Sequence, residues 1–274
     1  MFQDLTFEPF KLPPEADVLR HEVREFLSRE LDPDTLPNSD FNSGASVEFS
    51  RKIAAQGWIG MTWPKKYGGS EKSFLERYVV TEELLAAGAP VGCHWIADRQ
   101  SGPLILKFGT AQQKQRFLPK IINGDYFFSV GMSEPDSGSD LASIRTNASK
   151  TEGGWLVNGS KIWASYAHTN HFMVTLVRTE PPSDNRHTGM SQFIVDLSDK
   201  NVTVTGIRNL AGEEGFNQVF FDDVFIPDEM VIGTPGNGWD QVMSELVYER
   251  SGPERFLSAF RVIVEFAREI GSQP

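Results

Sequence analysis

The run FFSVGM, residues 127–132, is the first strand-like segment of the chain, and it separates two parts of different character. Before it, apolar residues recur with the spacing of amphipathic helices; after it, short β-prone runs alternate with turn residues. This change predicts an α+β protein with an all-α domain over residues 1–125 and a β domain over 126–234. A third region, residues 235–274, returns to helical spacing.

The predicted helices of the first part end at glycine, proline or capping residues. They cover residues 18–31, 46–56, 73–87, 103–108 and 111–122. Asp32-Pro33 ends the first of them. The face of this helix that we expect to be buried carries Val18, Val23, Phe26, Leu27 and Leu31. Thr110 is a suitable N-cap for the last helix.

The β domain is predicted to contain short strands at the regular spacing of a sandwich or a barrel. These strands cover residues 155–157, 172–177, 191–195, 202–207 and 218–224. Asn158-Gly159 is a strong hairpin signal after the first strand, and residues 183–190 read as a polar loop. Residues 239–249 and 253–270 are predicted helices, with a break or kink at Gly252-Pro253.

Composition excludes some classes of protein before any motif is considered. The 274 residues carry a formal net charge of −11, with a pI of about 5.0, which argues against a nucleic-acid binder. No apolar run is long enough to span a membrane, and the N-terminal MFQDLTFEPF lacks the plan of a signal peptide. We therefore expect a cytoplasmic protein without membrane insertion.

Cysteine and histidine do not indicate a metal site. Cys93 is the only cysteine, so no internal disulfide is possible, and we expect a buried apolar residue rather than a catalytic nucleophile. His168 and His171 lie after a turn and at the start of a strand, without metal-ligand spacing, so we predict no metal. No G-x-G-x-x-G lies between a strand and a helix, so a Rossmann nucleotide site is not indicated.

Four stretches of the sequence resemble motifs of the acyl-CoA dehydrogenase family. Residues 132–140 read MSEPDSGSD, close to T-E-P-x-x-G-S-D, and residues 158–165 read NGSKIWAS, close to N-G-x-K-x-W-I-[ST]. Residues 58–69, WIGMTWPKKYGG, and residues 109–119, GTAQQKQRFLP, resemble two further family segments. The order and separation of these stretches also agree, and the resemblance covers nearly the whole chain.

The resemblance implies an acyl-CoA dehydrogenase-like fold, in which residues 235–274 are the beginning of a C-terminal helical bundle. A typical member continues further into that bundle, which supplies flavin contacts and most oligomer contacts. The chain that ends at Pro274 is accordingly expected to be a shortened chain, a split subunit or a natural short form.

FAD is the cofactor that the resemblance implies. The residues that match cofactor positions of the family are Val130, Met132, Ser133, Gly138, Ser139, Trp163 and Ser165. In this interpretation Trp163 packs against the isoalloxazine ring, and the hydroxyls of Ser133 and Ser165 lie near its N5 and O4. Without the resemblance, Trp163 is equally an ordinary core aromatic, the serines are turn or cap residues, and residues 136–139 are a plain loop.

Desaturation of an acyl thioester requires a carboxylate that takes the α-proton and an oxidised flavin that accepts a hydride. The resemblance places this base at Glu249, the position used by a minority of the family, including its long-chain and isovaleryl branches. Glu254 is the competing candidate, and Glu249 is otherwise a helix-end carboxylate paired with an arginine. The expected substrate-binding residues are Ser139, Val247, Tyr248 and Arg250. A solvated surface arginine is the alternative for Arg250.

The implied function is FAD-dependent α,β-dehydrogenation of an acyl-CoA to the 2-enoyl-CoA. Electrons would pass to an electron-transfer flavoprotein, and the enzyme would be a homo- or hetero-oligomer. One alternative is a partner-dependent subunit of a hetero-oligomeric acyl-CoA dehydrogenase without complete activity alone. Another is an acyl-CoA oxidase or flavin monooxygenase of the same fold.

Overall fold

The computed structural model describes residues 11–32, 44–181, 183–249, 257 and 260–271. Its first part is helical, as predicted. The helices are α1 (Pro14–Glu30), α2 (Val47–Ala55), α3 (Phe74–Ala86), α4 (Gly92–Ile96), α5 (Gly102–Phe108) and α6 (Ala111–Ile122). A π-helical segment, Ala97–Ser101, joins α4 to α5. The sequence did not predict α4 or the π-helical segment.

Reciprocal side-chain caps begin two of the helices, and the sequence predicted the cap of one of them, α6. The Thr110 hydroxyl accepts a hydrogen bond of 3.1 Å from the Gln113 amide N–H, and the Gln113 side chain accepts one of 2.9 Å from the Thr110 N–H. Ser73 and Glu76 form the same reciprocal box at the start of α3. The prediction of Thr110 as an N-cap is therefore confirmed.

Helix α1 buries a face that differs in one position from the prediction. Val23, Phe26 and Leu27 are buried, but Val18 is mostly exposed, so its assignment to the core was wrong. The helix begins at Pro14, earlier than predicted, and Ala16 is the buried residue of its first turns. Ala16 and Val23 are seven positions apart and share a helical face, which leaves Val18 to one side of it.

The strands of the second part form an eight-stranded sheet in the order β6-β7-β3-β2-β4-β5-β8, with β1 pairing parallel to β4. The strands are β1 (Phe128–Gly131), β2 (Asn147–Thr151), β3 (Gly154–Ser165), β4 (Phe172–Arg178), β5 (Met190–Asp196), β6 (Val202–Ile207), β7 (Phe216–Pro227) and β8 (Val231–Ile232). The α+β class and the order of helices before strands are confirmed, whereas β2 and β8 were not predicted.

The hairpin predicted at Asn158-Gly159 was wrong. Strand β3 runs through this pair, and the hairpin lies one strand earlier, where Glu152-Gly153 joins β2 to β3. The register of β3 against β7 shifts between Val157 and Gly159, so the pair forms a bulge. Gly159 has a φ of 138°, and a Cβ there would meet Thr146 Oγ1 at 2.6 Å, so the glycine serves close packing within the sheet.

One hydrophobic core connects the helices to the sheet. Phe117 of α6 packs edge-on against Phe128 of β1 and Phe172 of β4, with ring centroids 5.8 and 5.3 Å apart. Because α6 is fixed to β1 in this way, the helical part has a defined position against the strand that leads into the 132–140 segment.

Two further helices, α7 (Gly238–Glu249) and α8 (Phe260–Gly271), follow the sheet. They agree with the predicted helices at 239–249 and 253–270, whereas the predicted break at Gly252-Pro253 lies outside the described residues. Within the described ranges, none of the helices has the length and apolar character that a membrane crossing requires.

Candidate active site

A cavity of about 410 Å³ lies between the sheet and the helices. Strand β1 and the segment after it form one side, the end of β3 forms a second, and α7 with the α4–π segment forms the third. Its volume is in the range of small-molecule and cofactor sites.

The structure brings all the residues predicted to bind the cofactor to this cavity. They are Val130, Met132, Ser133, Gly138, Ser139, Trp163 and Ser165. Val130 lies in β1, and the others come from the two motifs at 132–140 and 158–165, between which β2 and the start of β3 intervene. The convergence arises because β1 and the segment after it run antiparallel to the last part of β3, where the Ile162 N–H donates to the Ser133 carbonyl oxygen.

The segment 132–140 is held in place by a buried ion pair. The Lys161 ammonium of β3 is fully buried and lies 2.9 Å from Glu134 Oε1 and 2.9 Å from the Met132 carbonyl oxygen. Glu134 also accepts hydrogen bonds from the backbone N–H groups of Arg145 and Thr146, at 2.7 and 2.9 Å. These bonds satisfy the carboxylate and fix the shape of the segment beside the cavity.

Both partners of this pair are charged at neutral pH. Burial lowers the pKa of Lys161 to about 8, against the opposing attraction of Glu134, so the ammonium keeps its proton. Burial alone would raise the pKa of Glu134, but the Lys161 charge and the hydrogen bonds bring it below its ordinary value. No role was predicted for these two residues from the sequence, although Glu134 lies in the 132–140 motif and Lys161 in the 158–165 motif.

Trp163 adopts an uncommon backbone conformation at the edge of the cavity. Its φ is 63°, in the left-handed region, and the register of β3 against β7 shifts between Lys161 and Ala164. The indole is 57% exposed and meets the Phe216 ring edge-on at 6.1 Å, so it is not a buried core aromatic. Left-handed conformations of large residues carry strain and concentrate at functional sites. The bulge presents a broad aromatic face to a ligand.

Short polar groups surround the Trp163 side of the cavity. The hydroxyls of Ser133 and Ser165 form no hydrogen bond with any described residue, so they remain available to a ligand. A side chain at Gly138 would extend into open space, with no atom within 4 Å, so the backbone there is accessible. A flat aromatic wall with free donors beside it fits a planar heterocycle with polar edges, such as a flavin.

Helix α7 contributes apolar side chains to the cavity. Val242 and Leu246 line it, whereas Val247 is 68% exposed and does not. Glu249 is the last residue of the helix, and the positions 242, 246 and 249 follow the spacing that places residues on one helical face. The described residues exclude the side chains of Glu249 and Tyr248, and the whole of Arg250 and Glu254.

Several residues around the cavity were not predicted from the sequence. They are Ile96, Gln100, Leu141, Ile162, Trp239, Val242, Met243 and Leu246. The apolar members of this set have the spacing of core residues, and nothing in a single sequence distinguishes a cavity wall from a core. Gln100 lies in the π-helical segment, where no regular periodicity was recognised.

The remaining titratable candidates have structural surroundings. Cys93 is buried, and burial raises the pKa of its thiol to about 11, which disfavours a reactive thiolate. His168 Nδ1 lies 2.9 Å from Asn217 Oδ1, and His171 Nδ1 accepts a hydrogen bond from the Phe127 N–H. Across the described residues, His, Cys, Asp and Glu form no cluster that could hold a metal ion.

Comparison with known proteins identifies the family. Residues 13–125 match the acyl-CoA dehydrogenase N-terminal domain, and residues 129–224 match the acyl-CoA dehydrogenase middle domain. The chain belongs to the acyl-CoA dehydrogenase family, which is a family of oxidoreductases.

Similar proteins include members from mycobacteria. The acyl-CoA dehydrogenase IpdE1 of Mycobacterium tuberculosis is 36% identical over 224 residues, which are 82% of this chain and 57% of IpdE1. The Tcur3481–Tcur3483 steroid acyl-CoA dehydrogenase is 30% identical with a TM-score of 0.85, over 97% of this chain and 71% of that one. The ChsE4–ChsE5 complex of M. tuberculosis is 30% identical with a TM-score of 0.81, over 96% of this chain and 68% of its own.

This chain therefore spans little more than half the length of IpdE1.

Proposed function

We propose that this protein catalyses FAD-dependent α,β-dehydrogenation of an acyl-CoA to the 2-enoyl-CoA and passes electrons to an electron-transfer flavoprotein. The observation that carries the proposal is the convergence of Ser133, Ser139, Trp163 and Ser165 on one cavity, together with the membership of the family. We place the protein in the cytoplasm, in keeping with its single reduced, buried cysteine.

The cavity residues divide the task of holding FAD between an aromatic wall and a polar edge. Trp163 would pack against the isoalloxazine ring, and the free hydroxyls of Ser133 and Ser165 would hydrogen-bond its polar edge. The accessible backbone at Gly138 allows close approach. Bound FAD would supply the oxidising capacity that accepts a hydride from the acyl chain. Lys161 and Glu134 would keep the segment rigid, so that little ordering is required on binding.

The proposed base is Glu249. Its position at the end of α7 falls on the same helical face as Val242 and Leu246, which border the cavity. A carboxylate there would remove the α-proton, and apolar neighbours would exclude water from the reacting carbon. Arg250, Tyr248 and Ser139 are proposed to contact the thioester or its CoA.

A second candidate is a subunit that requires a partner chain to complete its flavin site. Two observations favour it. Its structural relatives include the ChsE4–ChsE5 complex. Helix α8 also carries a row of exposed apolar side chains, namely Phe260, Val262, Ile263, Phe266 and Ile270. Such a face requires cover from another helix or another chain.

The test is reconstitution with FAD followed by anaerobic addition of acyl-CoAs. Bleaching of bound flavin by a thioester supports the dehydrogenase, and oxygen consumption with peroxide release would instead indicate an acyl-CoA oxidase. A protein that retains no FAD alone but retains it in a hetero-oligomer would support the partner-dependent subunit.

A further inference from the structure

Gln100 is a buried amide on the helical side of the cavity, and within the described part of the chain it has no hydrogen-bond partner. Its side chain lines the cavity and the residue is only 8% exposed. No hydrogen bond joins the amide to any described residue. Unlike the enclosed side-chain oxygens of Gln192 and Gln241, the amide atoms of Gln100 keep some accessible surface where the residue lines the cavity.

The π-helical segment Ala97–Ser101 gives Gln100 this direction. The Gly102 N–H donates to the Ala97 carbonyl oxygen, the five-residue spacing of a π turn. The two preceding side chains are used within the protein. Asp98 accepts a bond of 2.7 Å from the Gly60 N–H, and Arg99 donates one of 2.6 Å to the Thr81 hydroxyl. The extra residue of the π turn leaves Gln100 beside the cavity, and such turns are frequent at functional sites.

The surroundings of Gln100 on this side are otherwise apolar. Ile96, Val242, Met243 and Leu246 line the same cavity. When an alkyl chain displaces water from an amide and offers no hydrogen bond in return, the amide is left unpaired at a considerable free-energy cost. A purely hydrocarbon acyl group would impose that cost, whereas an acyl group with an oxygen atom at this point would not. Sites with a buried polar group discriminate strongly against analogues that lack its partner.

We propose that Gln100 determines substrate specificity by hydrogen bonding to an oxygen on the acyl group, a carbonyl or a hydroxyl, beyond the carbons that react. The substrate class is then an oxygenated acyl-CoA rather than a simple fatty acyl-CoA. This inference rests on the proposed function, because it takes the helical side of the cavity to be the acyl site and the Trp163 side to be the flavin site. The amide N–H₂ donates to either kind of oxygen, and the amide oxygen accepts from a hydroxyl.

The test compares matched acyl-CoAs on the FAD-loaded protein by calorimetric titration and by anaerobic flavin bleaching. Each saturated acyl-CoA is paired with analogues that carry one oxo or one hydroxyl group at successive positions along the chain. The wild type should bind the analogues oxygenated at one particular position about tenfold more tightly than the unsubstituted chain. A factor of about ten is the gain expected from one well-formed hydrogen bond. The oxo and hydroxyl analogues distinguish which oxygen is recognised.

Gln100→Met should remove this preference while binding plain chains at least as well, because it replaces the amide by an apolar group of similar length. Ile96→Leu is the matched control, since it changes an apolar residue of the same cavity and should keep the preference. Gln100→Asn is a second variant. Its side chain is shorter, so the amide lies further from the cavity, and the preference for oxygenated chains should weaken.

Three results would overturn the inference. The first is a wild type that prefers no oxygenated chain at any position, which requires no variant. The second is a preference for oxygenated chains that Gln100→Met retains. If plain chains bind and bleach the flavin in these cases, the proposed function stands and only the role of Gln100 fails. If no acyl-CoA of either kind binds or bleaches the flavin, both the inference and the proposed function fail.

Discussion

The Lys161 ammonium lies 2.9 Å from the Glu134 carboxylate in a fully protein-enclosed position, and this pair joins the two sequence motifs that border the cavity. Glu134 belongs to the segment 132–140 and Lys161 to β3, so the contact links the segment that carries Ser133 to the strand that carries Trp163. This ion pair, together with the bond of 2.9 Å from the Ile162 N–H to the Ser133 carbonyl oxygen, therefore sets the position of the two motifs beside the cavity.

Lys161→Met should destabilise the protein by about 3 to 5 kcal/mol, because it leaves the Glu134 carboxylate buried without a counter-charge. The free energy of unfolding, measured by denaturant titration, checks this value. The double variant Lys161→Met with Glu134→Gln should recover part of the loss, since no buried charge then remains.

The Lys72–Glu76 pair provides a matched control at the same separation of 2.9 Å. It is solvent-exposed, so Lys72→Met should cost less than about 1 kcal/mol. Equal costs for the Lys72 and Lys161 variants would show that burial of the Lys161–Glu134 pair has no energetic consequence, contrary to this account.

Acid should weaken the contribution of Glu134 in a defined pH range. The pKa of Glu134 in the folded state lies below the ordinary value of 4.5. Its contribution to the free energy of unfolding is therefore complete above pH 4.5 and is lost as the pH falls through the folded-state pKa. Unfolding free energies measured from neutral pH down to this range should decline more steeply for the wild type than for the Lys161→Met, Glu134→Gln double variant. Parallel pH profiles would contradict the assignment.

Trp163→Ala should reduce FAD retention strongly while changing the stability of the cofactor-free protein little, because the indole is mostly exposed and its backbone is in a strained region. Flavin content after gel filtration measures the first effect, and thermal unfolding measures the second. Trp163→Phe should restore part of the retention. Phe225→Ala is a control on an exposed aromatic of β7 away from the cavity; flavin loss as large as that of Trp163→Ala would show that the effect is not local.

Sequence reasoning succeeded where the local signal and the tertiary context agree. Apolar spacing and capping residues located most of the helices, and Thr110 caps α6 as its position indicated. The hairpin prediction at Asn158-Gly159 was wrong because the pair forms a bulge inside a long strand. There the Asp223 N–H of β7 donates a hydrogen bond to the Asn158 side-chain oxygen of β3. Only the pairing with β7, which is distant in sequence, distinguishes this bulge from a turn.

The candidate site was anticipated in part. Motif positions such as Ser133 and Trp163 were named in advance, and the structure places them at one cavity. Gln100 and the Lys161–Glu134 pair were not identified. A buried amide inside a π turn has no periodic signature, and the pairing of a lysine with a distant glutamate becomes visible only when β1 and β3 are adjacent.

Glu249→Gln should leave FAD binding unchanged and abolish turnover, because the amide cannot take the α-proton. Glu254→Gln, the matched control, should retain turnover. Both are measured as the rate of flavin bleaching by an acyl-CoA that the wild type accepts. Wild-type bleaching by Glu249→Gln, with loss in Glu254→Gln, would transfer the role of base to Glu254.

The most direct measurement is the anaerobic spectrum of the FAD-reconstituted protein during titration with a panel of acyl-CoAs. We expect bound flavin whose absorbance bleaches with at least one thioester, with formation of the 2-enoyl-CoA. A protein that holds FAD but is bleached by no acyl-CoA, alone or within a hetero-oligomer, would contradict the proposed dehydrogenation.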